Sequence, residues 1–206
     1  MSDVSASAFS APGTLTGKHV RLEPLAPEHA DGLRAAVSDG KLWELWFTST
    51  PRTEAVDDYI AVALARQAAG EQSAWVVRDA TGDIVGTTRF YAIDATTPRV
   101  NIGYTWYARR VQRTGLNTEA KLLLLGHAFE TLRCISVGFE TSWFNHASRA
   151  AIARLGARQD GVLRSHLRHA DGSVRDTVVF SILEAEWPAV KQHLQARLAR
   201  VGHAHG

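Results

Sequence analysis

Two periodicities of apolar residues run through the chain, and their order predicts most of its elements. Period-two alternation, or short apolar runs bounded by turn residues, predicts strands at 20–25, 73–78, 84–91, 100–107, 135–141, 162–169 and 174–183. Apolar positions recurring every three to four residues predict helices at 28–38, 53–69 and 117–132. A further helix runs from Asn145 to Leu155 and ends at Gly156, and Pro188 opens a C-terminal one. The run from Asp79 to Asp83 and the pair Asp171-Gly172 have hairpin chemistry, so the strands they join pair antiparallel. Strand 100–107, helix 117–132 and strand 135–141 instead form one βαβ unit, which needs a parallel pair. The expected fold is α/β (α+β): a mixed central sheet, antiparallel in its N-terminal part and parallel around one crossover, with helices on both faces.

Composition narrows the class. A chain of 206 residues with 45% hydrophobic content can bury a full core as one domain, expected at 14–201. Residues 1–13 are rich in Ser and Ala and lack the basic start and apolar core of a signal peptide, so they read as a disordered leader, and 202–206 as a frayed tail. With 23 basic and 21 acidic residues the charge is too balanced for wholesale nucleic-acid binding. No run approaches the roughly 18 apolar residues of a membrane span. A single cysteine, Cys134 in an apolar strand, leaves no disulfide framework and no thiolate metal site, so a cytoplasmic protein without a metal is expected. A homodimer stays open.

The most informative segment is 109–121, Arg-Arg-Val-Gln-Arg-Thr-Gly-Leu-Asn-Thr-Glu-Ala-Lys, which joins a strand to a helix. Gly115 lets the backbone pass close to a ligand or take a positive φ. Asn117 or Thr118 is the expected cap, and the helix start offers unpaired N–H groups at the positive end of its dipole. Arg109, Arg110 and Arg113 add positive charge, while Lys121 reads as a surface residue. A pyrophosphate suits such a junction.

These residues resemble the GNAT acetyltransferases, and within them the branch of the Rim enzymes (RimJ/RimL-like), which acetylate ribosomal-protein N termini. The family's acetyl-CoA signature, Gln or Arg, two residues, Gly, one residue, Gly or Ala, falls on Gln112, Gly115 and Asn117, the last a departure. A second match is Asn145 with Ser148, then Arg149, Leu155, Gly156 and Ala157, and the register extends from Gly17 to Leu183. The resemblance implies a cleft where strands 100–107 and 135–141 splay, with acetyl-CoA as cosubstrate. Pyrophosphate would lie on the N–H groups of Gln112, Arg113, Thr114, Gly115, Leu116, Asn117 and Thr118, and Asn145 beside the pantetheine. The backbone from Tyr104 to Trp106 would donate to the oxyanion.

Acetyl transfer from a thioester to an amine needs a neutral amine, a stabilised oxyanion and a proton for the departing thiolate. By resemblance Ser148 faces the sulfur as general acid, although Asn145 is equally an ordinary N-cap and Ser148 an ordinary helix serine. Some Rim-type relatives use a carboxylate on the strand equivalent to 162–169, which here carries none. His166, an imidazole, and Glu140, a carboxylate, are the base candidates, and an ordered water is the alternative. Trp43, Trp46 and Phe47 either wall the acceptor pocket or cover the sheet. The expected activity is direct N-acetylation of a primary amine, a protein N terminus or a small molecule. The rival is a CoA-binding regulatory module without turnover.

Overall fold

The computed structural model describes residues 4–169 and 171–203. Eight strands form one mixed sheet: β1 (Leu15–Thr16), β2 (Val20–Pro24), β3 (Ser73–Asp79), β4 (Ile84–Asp94), β5 (Arg99–Tyr107), β6 (Ser136–Ser142), β7 (Arg158–Arg168) and β8 (Val174–Leu183). They lie in the order β1-β2-β3-β4-β5-β6-β8-β7. All neighbours are antiparallel except β5 and β6, as the crossover between them requires. The helices are α1 (Ala30–Ser38), α2 (Val56–Ala68), α3 (Leu116–Gly126), α4 (His146–Arg154) and α5 (Trp187–His203).

Side-chain alternation divides the sheet into two faces. Arg89 reaches Tyr59 of α2, whereas Thr88 and Phe90, its neighbours on β4, meet Lys121 and His127 beyond the other face. Thus α1 and α2 cover one side, and α3 and α5 the other. On the α3 side Val137, Phe139, Val178, Phe180 and Ile182 are buried. Phe129 and Trp187 stack at 5.5 Å, and Trp187 Nε1 donates to Glu130 at 2.8 Å. Gly156, at φ 102°, ends α4 against Val190 of α5, a backbone conformation that a side chain would strain. This contact places α4 on the α3 side as well.

The N-terminal hairpin is held by a carboxylate. Buried Glu119 accepts the backbone N–H groups of Lys18 at 2.8 Å and His19 at 2.6 Å, and its carboxylate lies where a side chain on Gly17 would have to be. The leader expected at 1–13 is anchored from residue 6 onward. Ala6–Ser10 form a 3-10 turn, Phe9 is 1% exposed, and Gly13 O accepts from Trp75 Nε1 at 2.8 Å. A single aromatic in a Ser/Ala-rich run carries no periodicity by which to be read. Residues 1–3 of that leader and 204–206 of the expected tail lie outside the described residues. Helix 117–132 is in fact α3 followed by a π-helical turn, His127–Thr131, and β7 begins four residues before its expected start. That extension brings in Asp160, whose carboxylate accepts from Ser181 Oγ at 3.0 Å.

Lys121 is a correction of another kind. Expected on the surface, it is 6% exposed and its Nζ donates to Thr105 Oγ1 at 2.9 Å. Burial without a carboxylate partner brings its pKa down to about 7. Between pH 7 and an unfolded value of about 10.4 the unfolded chain holds a proton that the folded one lacks, so stability rises with pH across that window. Below pH 7 both states are protonated and the full cost of the buried charge is present. Thr88 and Thr105 also bond each other at 2.8 Å, so an apolar residue at 121 leaves neither orphaned. Lys121→Met is therefore expected to be more stable than the parent at pH 6 by a few kcal/mol, since each tenfold change in a proton affinity is worth about 1.4 kcal/mol. The gain should shrink towards pH 10 in urea unfolding curves. A pH-independent difference would contradict the assignment.

Candidate active site

The anion junction folds differently in detail from its sequence expectation. The cap of α3 is Gly115, two or three residues before Asn117 or Thr118, because Thr114 Oγ1 accepts from Leu116 N at 3.2 Å and donates to Val111 O at 2.7 Å, starting the helix early. Gly115 keeps an ordinary helical φ of −67°, and the left-handed residue of the loop is Arg113, at φ 62°. Gln112, an exposed residue, is engaged within the loop: its side chain donates to Tyr107 O at 2.9 Å and its N–H to Arg109 O at 3.1 Å. The N–H groups of Arg113, Thr114, Gly115, Asn117 and Thr118 have no protein acceptor among the described residues, which makes them the donors available to an anion. Arg110 is tethered elsewhere, to Asp79 at 3.5 Å and Asp83 at 3.6 Å, while Arg113 is exposed at the loop.

Beside this junction β5 and β6 part. Only three residue pairs hold them together, ending at Asn101 opposite Gly138. On its other edge β5 spends one extra residue against β4 between Gly103 and Trp106, and Tyr104 takes φ 50° there. Such a bulge bends the strand and re-aims its groups. β6 meanwhile keeps seven pairs with β8, so it follows that strand away from β5. The backbone of β5 from Ile102 onward consequently faces the gap. Asn145 caps α4 at the far side, accepting from Ser148 N at 3.0 Å, so its carbonyl oxygen is engaged and its amide nitrogen is the group it can turn to a ligand. Ser148 is half-buried in the first turn of α4.

Glu140 lies on the opposite face, with Val179 and Thr177 of β8. Its carboxylate accepts from Asn101 Nδ2 at 3.3 Å. Tyr91 stands nearby, its phenol pushed well above the usual range by burial first and the charge of Glu140 second. His166 is on the exposed edge strand, Nδ1 3.1 Å from Thr177 Oγ1. Two adjoining clefts, of 340 and 290 Å³, open on this face and share Arg66 and Tyr104. Tyr59 and Arg89 line the first, Gln72 and Tyr91 the second. None of Trp43, Trp46 and Phe47 lines either cleft: Trp43 packs on the core, and Trp46, 45% exposed, contacts Phe47, Phe144 and His169 at 5.5, 5.4 and 4.8 Å. Trp106 is buried beside Tyr59, with its Nε1 unpartnered. Periodicity alone does not single out Arg89 and Tyr91, although an arginine in the middle of the apolar strand 84–91 is a signal.

Two further titratable groups, Cys134 and His127, are packed away from the chemistry. Burial pushes the Cys134 thiol up to about 12, which removes it as a nucleophile at neutral pH. His127 packs against Phe90 and Trp75 and is held below its ordinary pKa by burial.

The parted strands and the exposed helix start define a class, and comparison with known proteins agrees with it. The description "Acetyltransferase (GNAT) domain" matches residues 19–158. The chain belongs to the GNAT acetyltransferases. A solved GCN5-related N-acetyltransferase from Brucella melitensis is 30% identical, with a TM-score of 0.81 over 91% of this chain and 86% of that one. The Bacillus subtilis (strain 168) protein named "Putative ribosomal N-acetyltransferase YdaF" is 31% identical over 110 residues, 53% of this chain and 59% of that relative's length. The match to a second curated relative likewise spans only 60% of its length. Mycobacterium smegmatis RimJ, solved in complex with CoA-disulfide, shares the fold at 22% identity, with a TM-score of 0.77 over 91% of this chain and 96% of that one. Among the described residues no helix is long and apolar enough to cross a membrane.

The loop geometry separates its residues by function. Gly115→Glu puts a carboxylate where the N–H groups converge and is expected to weaken CoA binding at least tenfold by calorimetry, roughly 1.4 kcal/mol or more. Arg113→Ala should weaken it several-fold, most strongly at low salt, whereas Arg110→Ala should change it little, because Asp79 and Asp83 already hold that charge. Equal effects of the two arginine variants would contradict this division.

Proposed function

We propose that the protein transfers the acetyl group of acetyl-CoA directly to a primary amine in a ternary complex. The observation that carries this reading is the gap between β5 and β6, with the α3 junction, Asn145 and Ser148 on one face and Glu140 and the two clefts on the other. Donor and acceptor can then approach one carbonyl carbon from opposite sides of the sheet. The free N–H groups of Arg113, Thr114, Gly115, Asn117 and Thr118 receive the pyrophosphate, with the side chain of Gln112 bracing the loop against Tyr107 O. The amide of Asn145 meets the pantetheine.

Glu140 is the base this arrangement favours over His166, because it faces the gap and Asn101 orients its carboxylate. It removes a proton from the ammonium, directly or through one water, and the neutral amine attacks the thioester carbon. Backbone at the Tyr104 bulge donates to the oxyanion. As the carbon–sulfur bond breaks, Ser148 gives its hydroxyl proton to the thiolate and recovers one through water, the second N–H proton that the acetylated nitrogen loses. The buried, high-pKa Cys134 supports direct transfer without a covalent enzyme intermediate. The name "Putative ribosomal N-acetyltransferase YdaF" lends support to a ribosomal polypeptide as acceptor, while the open cleft beside Arg89 suits a small amine equally well.

Ser148→Ala is expected to lower kcat by roughly 10- to 100-fold, with CoA affinity within about twofold of the parent. An unchanged kcat removes Ser148 from the mechanism. Glu140→Gln should abolish the acidic limb of the pH profile of kcat/KM, and His166→Ala should keep it. Loss of that limb in His166→Ala instead would reverse the assignment, and its persistence in both variants would give the role to a water. Tight CoA binding without acceptor-dependent thiol release would identify the chain as a CoA-binding module.

A further inference from the structure

Arg89 is a buried cation that the fold leaves without a counter-ion. It is 2% exposed, stands in the middle of β4 and lines the larger cleft under α2. One terminal nitrogen donates to Gln72 Oε1 at 3.1 Å and the other to Tyr59 O at 3.4 Å. The rings of Tyr59 and Tyr104 face its guanidinium carbon at 4.2 and 4.8 Å. Every one of these neighbours is neutral. Its Nε is buried without an acceptor, and no carboxylate pairs with it among the described residues. A guanidinium has five N–H donors; here Gln72, the Tyr59 carbonyl and the Tyr59 phenol are its neutral partners, so its charge stays uncompensated. Fully buried arginines are ordinarily paired, so an unpaired one held flat between aromatic rings at a cleft is a prepared anion receptor. The formal charges on the cleft walls lie further out. Asp58 and Glu71 are exposed residues lining the two clefts, and Arg66, also exposed, lines both.

Its place in the sheet sets the scale of the ligand. Arg89 pairs with Gly103, the residue before the Tyr104 bulge and two beyond the last β5–β6 pair. One strand spacing, about 5 Å, therefore separates its backbone from the strand edge that borders the gap. Tyr104, the bulge residue on that edge, faces the guanidinium carbon at 4.8 Å, so an anion held by Arg89 lies beside the residue that borders the gap.

We infer that Arg89 is the specificity residue of the acceptor subsite and that the acceptor carries a carboxylate within a few bonds of the amine to be acetylated. The acceptor role rests on the acetyl-transfer reading above, whereas recognition of the carboxylate does not. Two sources share this chemistry: the α-carboxylate of a free amino acid, and the side-chain carboxylate of an N-terminal acidic residue.

Matched pairs of probes distinguish them. L-leucine is compared with L-leucinamide, and a hexapeptide amide beginning with Glu with one beginning with Gln. Each is measured twice, by calorimetric titration of the CoA-saturated protein and by thiol release from acetyl-CoA, with rates expressed per neutral amine. A tenfold or greater preference for leucine over its amide assigns the subsite to free amino acids, and the same preference for the Glu peptide assigns it to a polypeptide terminus. In Arg89→Met that preference should vanish, and in Arg89→Lys it should fall without disappearing. CoA affinity reports that each variant retains its donor side. A preference within twofold in both pairs and both measurements overturns the inference, and so does a preference that survives Arg89→Met. Preferential binding of the carboxylate probes without thiol release would retain the subsite and overturn acetyl transfer.

Discussion

The parting of β5 from β6 is the constraint on which the rest of the molecule depends. Strand backbone needs hydrogen-bond partners, and β5 and β6 satisfy theirs on their outer edges, with β4 and β8. Between them only three pairs form before the Tyr104 bulge turns β5 aside. The inner edge of β5 is thereby exposed inside a stable sheet, ready to pair with an extended ligand at no further cost in folding. Gly138 belongs to the same joint, since Asn101 occupies the space that a side chain at 138 would need.

The same division separates two electrostatic tasks. On the α3 side the available donors are backbone N–H groups, reinforced by Arg113, while Arg110 is held by two aspartates and Lys121 is buried with a pKa near neutrality. Anion binding there is thus set by geometry more than by the number of basic residues in the segment. On the α2 side the arrangement is reversed: a formal charge, Arg89, is buried among neutral partners, and a carboxylate, Glu140, is braced by Asn101. In the proposed reading, a phosphate-bearing donor and a carboxylate-bearing acceptor are attracted to opposite faces without competing for one site.

Much of this was legible in the chain itself. Strand 174–183, the cap at Asn145, the glycine ending at Gly156 and the lone parallel pair all follow from periodicity and turn chemistry, which act over a few residues. The strand-to-helix boundary at Gly115 was legible for the same reason. Its working details were not. Whether Gly115 or Asn117 caps the helix turned on the hydroxyl of Thr114, and which arginine stays available turned on Asp79 and Asp83, some thirty residues earlier.

The sequence by itself determined the element order, the βαβ crossover and the family signature, because each is written in local spacing. Tertiary structure alone decided the fate of the charges. Lys121 and Arg113 look alike in the chain, yet one lies under the sheet with its pKa lowered and the other is exposed at the loop. Arg89 and Glu140 are fifty-one residues apart and come to one face only after the sheet has assembled. The reason is physical: dihedral preference and periodicity depend on sequence neighbours, whereas desolvation and Coulomb interaction depend on what folding brings within a few ångströms.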